Sequence, residues 1–268
     1  MHTPTVLTIA GFDPYGGAGI QIDTKTIHAL GGYALSSVTA MTAQNSKGVR
    51  AVEPVSANML RLQLTTLLDD MKVDAVKIGM LANRDSIETV VEIIKRYALN
   101  NIVLDPVLVS SSGKTLLEPT AIRVMIEKLF PLVDLLTPNI PEVNRLLEID
   151  HYRGEEAEVR EIARKLFALH LKTVLLKGGH RCDNEAIDFL VYNSGEYVIF
   201  NGKKVETTHT HGTGCLLSSA IAAGLAKGEG EKESVFNAKQ FLSRQLRKAS
   251  ALQLRYSAED SCRREPLF

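Results

Sequence analysis

The chain has 268 residues, 45% of them hydrophobic, which is enough for one sizeable core. Basic and acidic residues number 31 each, so the formal net charge is zero and nothing marks a surface for nucleic acid or an anionic membrane. No apolar run approaches the roughly 18 residues of a membrane span, and Cys182, Cys215 and Cys262 are too few and too scattered for a CxxC motif or a disulfide framework.

Residues 1–8 lack a basic-then-apolar leader, so the expected compartment is a reducing cytoplasm. Residues 6–10 read as a buried strand and 20–30 as a helix, from the spacing of Ile20, Ile27 and Leu30. A second strand is expected at 36–43 and an amphipathic stretch at 56–68. Strands at 75–78, 102–104, 133–136 and 174–176 then alternate with helical stretches at 86–97, 121–129, 142–147 and 155–169. Continuous apolar strands separated by helices imply a mostly parallel sheet covered on both faces, an α/β fold. The pattern changes at 186–192 and 196–200, which Asn193-Ser194-Gly195 joins as a hairpin. Helices at about 213–227 and 231–254 follow. No linker, repeat or charge block interrupts the chain, so residues 1–255 are expected to form one domain, with a 256–268 tail of unassigned role.

Two glycine-rich segments stand out. Ala10-Gly11-Phe12-Asp13-Pro14-Tyr15-Gly16-Gly17-Ala18-Gly19 follows a strand and opens a helix, where α/β proteins bind ligands. Its spacing is neither GxGxxG nor a Walker A. Asp23, in the following helix, is positioned to accept a hydrogen bond from a ligand, or is a solvated residue behind a tight turn. The second segment, His209-Thr210-His211-Gly212-Thr213-Gly214-Cys215, precedes an apolar helix. There Gly212, Thr213 and Gly214 offer backbone N–H groups at the positive end of the helix dipole, an anion hole suited to a phosphate in transfer. Cys215 falls in the first turn, where the dipole favours a thiolate able to take a proton from an attacking hydroxyl. A lone cysteine is more commonly a small buried residue. The two histidines, without a third ligand, make a weak metal motif and fit better as packing or phosphate neighbours.

Further polar residues follow strands directly. Asp105 follows the strand at 102–104, and Thr137-Pro138-Asn139-Ile140-Pro141-Glu142 follows the one at 133–136. Asn139 and Glu142 have the spacing of a capping box. Oxygen ligands such as Asp105, Asn139 and Glu142, gathered near phosphates, also suit Mg²⁺. Lys177-Gly178-Gly179-His180 follows the strand at 174–176, so Lys177 is either a phosphate contact or an ordinary solvated charge.

Taken with Ala43-Gln44-Asn45, Lys77-Ile78-Gly79-Met80-Leu81 and Asp105-Pro106-Val107, these motifs resemble, in order and spacing, the hydroxymethylpyrimidine and phosphomethylpyrimidine kinases of thiamine biosynthesis. The resemblance runs from Leu7 to about Leu252 and implies a ribokinase-like fold. It also implies ATP, Mg²⁺ and two successive phosphorylations of one aminopyrimidine. Carried over, it puts Gly11, Asp23, Gln44, Met80 and Val107 around the pyrimidine. Cys215 stands where many sugar kinases of the superfamily have a catalytic aspartate, with Gly212, Thr213 and Gly214 as the anion hole. Asp105 and Glu142 hold the metal, while Thr137, Asn139 and Lys177 contact phosphates. Adenine is expected near 235–239, with Lys239 at the nucleotide. The nearest rival is a pyridoxal kinase or a dual enzyme, and a homodimer is expected from the resemblance alone.

Overall fold

The computed structural model describes residues 2–45, 47–110, 113, 115–179, 185–202, 204–205 and 211–248. His180, Cys182, His209, Thr210, Cys262, the last helix beyond 248 and the 256–268 tail lie outside these residues.

The elements run β1 (Thr5–Phe12), α1 (Gly19–Ala29), β2 (Tyr33–Asn45), β3 (Gly48–Pro54), α2 (Ala57–Leu68), β4 (Ala75–Ile78), α3 (Arg84–Tyr97) and β5 (Ile102–Leu104). After α4 (Pro119–Val124) come β6 (Leu135–Leu136), α5 (Ile140–Leu147), α6 (Glu156–Phe167), β7 (Thr173–Leu176), β8 (Asp188–Tyr192), β9 (Tyr197–Phe200), α7 (Thr213–Ala226) and α8 (Glu231–Lys248). They build one sheet in the order β3-β2-β1-β4-β5-β6-β7-β8-β9. Its six central strands are parallel, and β3, β8 and β9 add antiparallel edges.

The strands are apolar in both directions because both faces are covered. Leu7, Ile9, Val76 and Ile78 pack into a core with α2, α3, α5 and α6. Val6, Ala75, Val103 and Leu135 point the other way, against α1, α7 and α8. Helix α7 carries small and apolar residues all round and is accordingly buried on nearly every side, from Leu216 to Leu225. Side-chain caps fix where helices start. Asn83 accepts from Ser86 N–H at 2.9 Å, and Asn139 forms the expected capping box with Glu142.

The expected hairpin is β8–β9, while the β2–β3 hairpin was not anticipated. Strand β3 is an exposed edge with no buried residue, so it lacks the apolar signal that marks the central strands. The helix expected over 121–129 narrows to α4, followed by a π-helical turn at Met125–Leu129.

Hydrogen bonding continues past the carboxyl ends of the parallel strands. Gly79 N–H donates to Ile9 O, Asp105 N–H to Ile78 O, Thr137 N–H to Leu104 O and Lys177 N–H to Pro138 O, each at 2.9 Å. The residues that follow β1, β4, β5, β6 and β7 are thereby brought side by side along one edge of the sheet.

Candidate active site

At that edge the two glycine-rich segments interlock. Gly212, the N-cap of α7, has φ 77° and lies against the Gly17 carbonyl so closely that a Cβ would sit 1.7 Å from that oxygen. Gly19, at φ 58°, approaches Gly11 in the same way, with 2.1 Å between a Cβ position and Gly11 O. Only glycine permits both approaches. Asp13 organises the first turn. Its Oδ1 accepts from Tyr15 N–H at 2.9 Å, and its Oδ2 from Gly17 N–H at 3.2 Å and Ala18 N–H at 2.9 Å. The same Oδ2 lies 3.0 Å from His211 Nε2, which ties the first turn to the start of α7. Burial alone would raise the Asp13 carboxyl, but His211 and the backbone donors outweigh it and hold it below its ordinary value.

Beside the start of α7 lies a buried acid–lysine cluster. Lys177 Nζ donates to Asp105 Oδ1 at 2.8 Å, and a Cβ on Gly214 would lie 3.2 Å from Asp105 Oδ2. Glu142 Oε2 accepts from Asn139 N–H at 2.9 Å. Burial pushes the Glu142 carboxyl up to about 8; Lys177 opposes this and Asp105 adds to it. The Lys177 ammonium, despite burial, is held above its usual value by Asp105 and Glu142. Among the described residues no three or more His, Cys, Asp or Glu side chains form a complete metal cage. A pair of buried carboxylates lining a cavity, one raised chiefly by burial, nevertheless fits Mg²⁺, which takes its other ligands from water and phosphate.

Beneath the cavity lies a second buried pair. Lys77 Nζ donates to Asp23 Oδ2 at 2.8 Å, and both side chains are 0% exposed. Thr8 and Ser219 each donate a hydroxyl to Asp23 at 2.6 Å, so the carboxylate joins β1, β4, α1 and α7. Cys215 lines the cavity close by. Burial pushes its thiol up to about 11; Lys77 opposes this, Asp23 and Asp105 reinforce it, and the Gly19 N–H lowers it slightly. The thiolate expected from the helix dipole is therefore corrected. Burial, with Asp23 and Asp105 nearby, favours the neutral thiol over the thiolate.

A single cavity brings most of the expected residues together. Gly11, Gln44, Met80 and Val107 line one part of it; Asp105, Asn139, Glu142 and Lys177 line another; Gly212, Thr213, Gly214 and Cys215 line the floor. Three expectations differ from what the structure places there. Asp23 is not in the lining, because its oxygens are taken up by Lys77, Thr8 and Ser219. Thr137 is 0% exposed and donates its hydroxyl to Asp105 Oδ1 at 3.3 Å, so it sits behind the carboxylate. Lys239 is paired with Asp188 of β8, and Val235 is a core residue, so the cavity does not reach 235–239. Lys77 was passed over as part of an apolar motif. A charge inside the run Ala75–Ile78 was the available signal, since a lysine buried in a central strand requires a partner. Asp13 was likewise assigned no role.

A family model described as phosphomethylpyrimidine kinase matches residues 13–258. The hydroxymethylpyrimidine/phosphomethylpyrimidine kinase of Escherichia coli (strain K12) is 43% identical over 254 residues, 95% of each chain. The phosphomethylpyrimidine kinase of Clostridium difficile 630 superposes with TM-score 0.78 at 38% identity, covering 90% of this chain and 98% of that one. A pyridoxal kinase of Bacillus subtilis, solved with ADP, superposes with TM-score 0.82 at 35% identity, covering 90% and 91%. The ordered motifs, the cavity they build and a match along nearly the whole length show that the chain belongs to the phosphomethylpyrimidine kinase family, phosphotransferases of ribokinase-like fold.

Proposed function

We propose that the chain transfers the γ-phosphoryl group of ATP to 4-amino-5-hydroxymethyl-2-methylpyrimidine, and then a second phosphoryl group to the resulting monophosphate. The observation that carries this reading is the single cavity lined together by an amide and two apolar side chains (Gln44, Met80, Val107), the glycine-rich start of α7 and the Lys177–Asp105 pair.

Gln44 meets the aminopyrimidine edge, and Met80 and Val107 cover the ring faces. The substrate oxygen attacks the γ-phosphorus, the bond to the β–γ bridging oxygen breaks, and ADP departs. The N–H groups at 212–214 and Lys177 stabilise charge on the transferring group, which is the main demand of phosphoryl transfer. Asp105 and Glu142 would hold Mg²⁺, which would supply neutralisation of phosphate charge. In the first step Cys215 acts as the thiolate: its own proton is lost to solvent first, and Sγ then takes the hydroxymethyl proton. The second step has no such proton to remove, because the acceptor is a phosphate oxygen already ionised near neutrality. Work in the cytoplasm and a homodimeric assembly are part of the same reading; among the described residues no helix is long and apolar enough to cross a membrane.

The likeness to a pyridoxal kinase makes pyridoxal the competing substrate to test. A coupled assay of ADP release with hydroxymethylpyrimidine, its monophosphate and pyridoxal decides between them. The expected result is turnover of both pyrimidines in preference to pyridoxal. Cys215→Ala should lower kcat for the hydroxymethyl compound about 100-fold or more, leave ATP affinity nearly intact, and reduce the second step much less. Equal losses in both steps would remove the proton-accepting role.

A further inference from the structure

Gln44 is held by neighbours that line the same cavity and that the transfer step itself does not use. Its amide nitrogen lies 2.9 Å from His211 Nε2, and the same ring nitrogen lies 3.0 Å from Asp13 Oδ2. Asp13 and His211 are nearly enclosed, with side-chain exposures of 4% and 8%. On the other side Thr42 Oγ1 donates to Phe12 O at 3.0 Å and lies 3.4 Å from Gln44 Oε1.

These contacts admit only one consistent pattern of protons. Asp13 already accepts three backbone N–H bonds and sits below its ordinary pKa, so it is an ionised acceptor. His211 Nε2 must then carry the hydrogen and donate it. A ring N–H cannot accept from the Gln44 amide, and two donors facing at 2.9 Å repel. A half-turn of the amide, which exchanges two groups of equal size, removes the conflict. Oε1 then shares the Nε2 hydrogen with Asp13 Oδ2 in a three-centre bond, and the amide nitrogen donates to Thr42 Oγ1, whose own hydrogen is committed to Phe12 O. One lone pair on Oε1 and one N–H remain for the cavity.

We propose that Asp13 and His211 are specificity-determining positioning residues, which lock the Gln44 amide so that it presents an acceptor beside a donor to an amidine edge. This rests on the aminopyrimidine reading, in which the exocyclic amino group donates and the adjacent ring nitrogen accepts. In the opposite amide orientation donor meets donor and acceptor meets acceptor. The lock therefore matters to a ring bearing the amino group and is nearly irrelevant to the same alcohol without it.

The test compares kcat/KM for hydroxymethylpyrimidine with that for its 4-deamino analogue. The wild-type ratio should be at least about tenfold in favour of the amino compound, as expected where a site hydrogen-bonds a substrate N–H. His211→Met should bring that ratio close to one, while His211→Gln, which keeps a donor near the Nε2 position, should restore most of it. His211→Met added to Gln44→Ala should change the ratio no further, since His211 acts through Gln44. Asp13→Asn, which lets the imidazole adopt either tautomer, provides the same loss if His211→Met does not fold. A purely structural role would lower both substrates together; an unchanged ratio in His211→Met or Asp13→Asn, or additive effects in the double variant, overturns the lock. A wild-type enzyme that prefers pyridoxal overturns the underlying substrate reading instead, and is distinguishable from either.

Discussion

Replacing Lys77 by methionine should be among the most destabilising single changes in the chain. The Lys77 and Asp23 side chains are both 0% exposed and 2.8 Å apart. Without the ammonium, Asp23 keeps only the hydroxyls of Thr8 and Ser219, which bind the carboxylate without neutralising it. Leaving one member of a buried pair uncompensated costs about 3–5 kcal/mol. For a chain of this size each kcal/mol moves the melting temperature by about 2–4 °C, so Lys77→Met should melt about 10 °C below the wild type. Removing both charges, in Lys77→Met with Asp23→Asn, should recover most of that loss, because the penalty lies in the orphaned charge rather than in the lost attraction. The exposed Arg61–Glu92 pair supplies the contrast, and Arg61→Met should leave melting nearly unchanged. Scanning calorimetry of the four proteins decides the matter. A single Lys77 variant melting within about 2 °C of wild type would refute the assignment, as would a double variant no more stable than the single one.

Gly212→Ala places a Cβ 1.7 Å from Gly17 O at a φ of 77°, so one of the interlocked turns must move. Because that turn carries the anion-hole N–H groups, kcat should fall about 100-fold, the cost of losing such a donor; steady-state activity within threefold of wild type would contradict the role of the interlock. The Cys215 thiol, at about 11, is ionised to about one part in ten thousand at pH 7. Its raised value favours the neutral form, so alkylation by iodoacetamide, followed at the Cys215 peptide by mass spectrometry, should accelerate about tenfold per pH unit from 7 to 10. A plateau near pH 8 would mean that the helix dipole, not burial, governs the thiol.

Much of this was legible in the sequence because the fold writes its main features locally. Each parallel strand has an apolar run, and the segments at 13–19, 79–81, 105–107, 137–142 and 177–179 follow one directly, so finding the strands also finds the edge where these segments meet. The capping box at Asn139 and Glu142 is likewise a three-residue signal. What the sequence withheld depends on faces and on neighbours distant in the chain. Asp23 is separated from Lys77 by 54 residues and from Ser219 by 196, and only the folded sheet shows that they meet below the cavity rather than in it. Thr137 follows a strand as Asn139 does, yet it points to the back of Asp105. Lys239 lies on an amphipathic helix, where nothing local distinguishes a nucleotide contact from a partner for Asp188.

The correction at Cys215 clarifies why a thiol occupies this place. On the proposed reading this cavity must admit two acceptors of different charge, a neutral alcohol that needs a base and then a phosphate monoester that does not. An aspartate beside the anion hole would be ionised throughout, adding a third carboxylate to Asp23 and Asp105 and repelling the dianionic second substrate. A buried thiol at about 11 is neutral at rest, so it admits both. To act as a base it must first lose its own proton, and Lys77, which lines the same cavity, is the positive charge that favours the thiolate. On this argument the elevated thiol is a requirement of carrying out two phosphorylations in one site. The unequal sensitivity of the two steps to Cys215→Ala is its direct consequence.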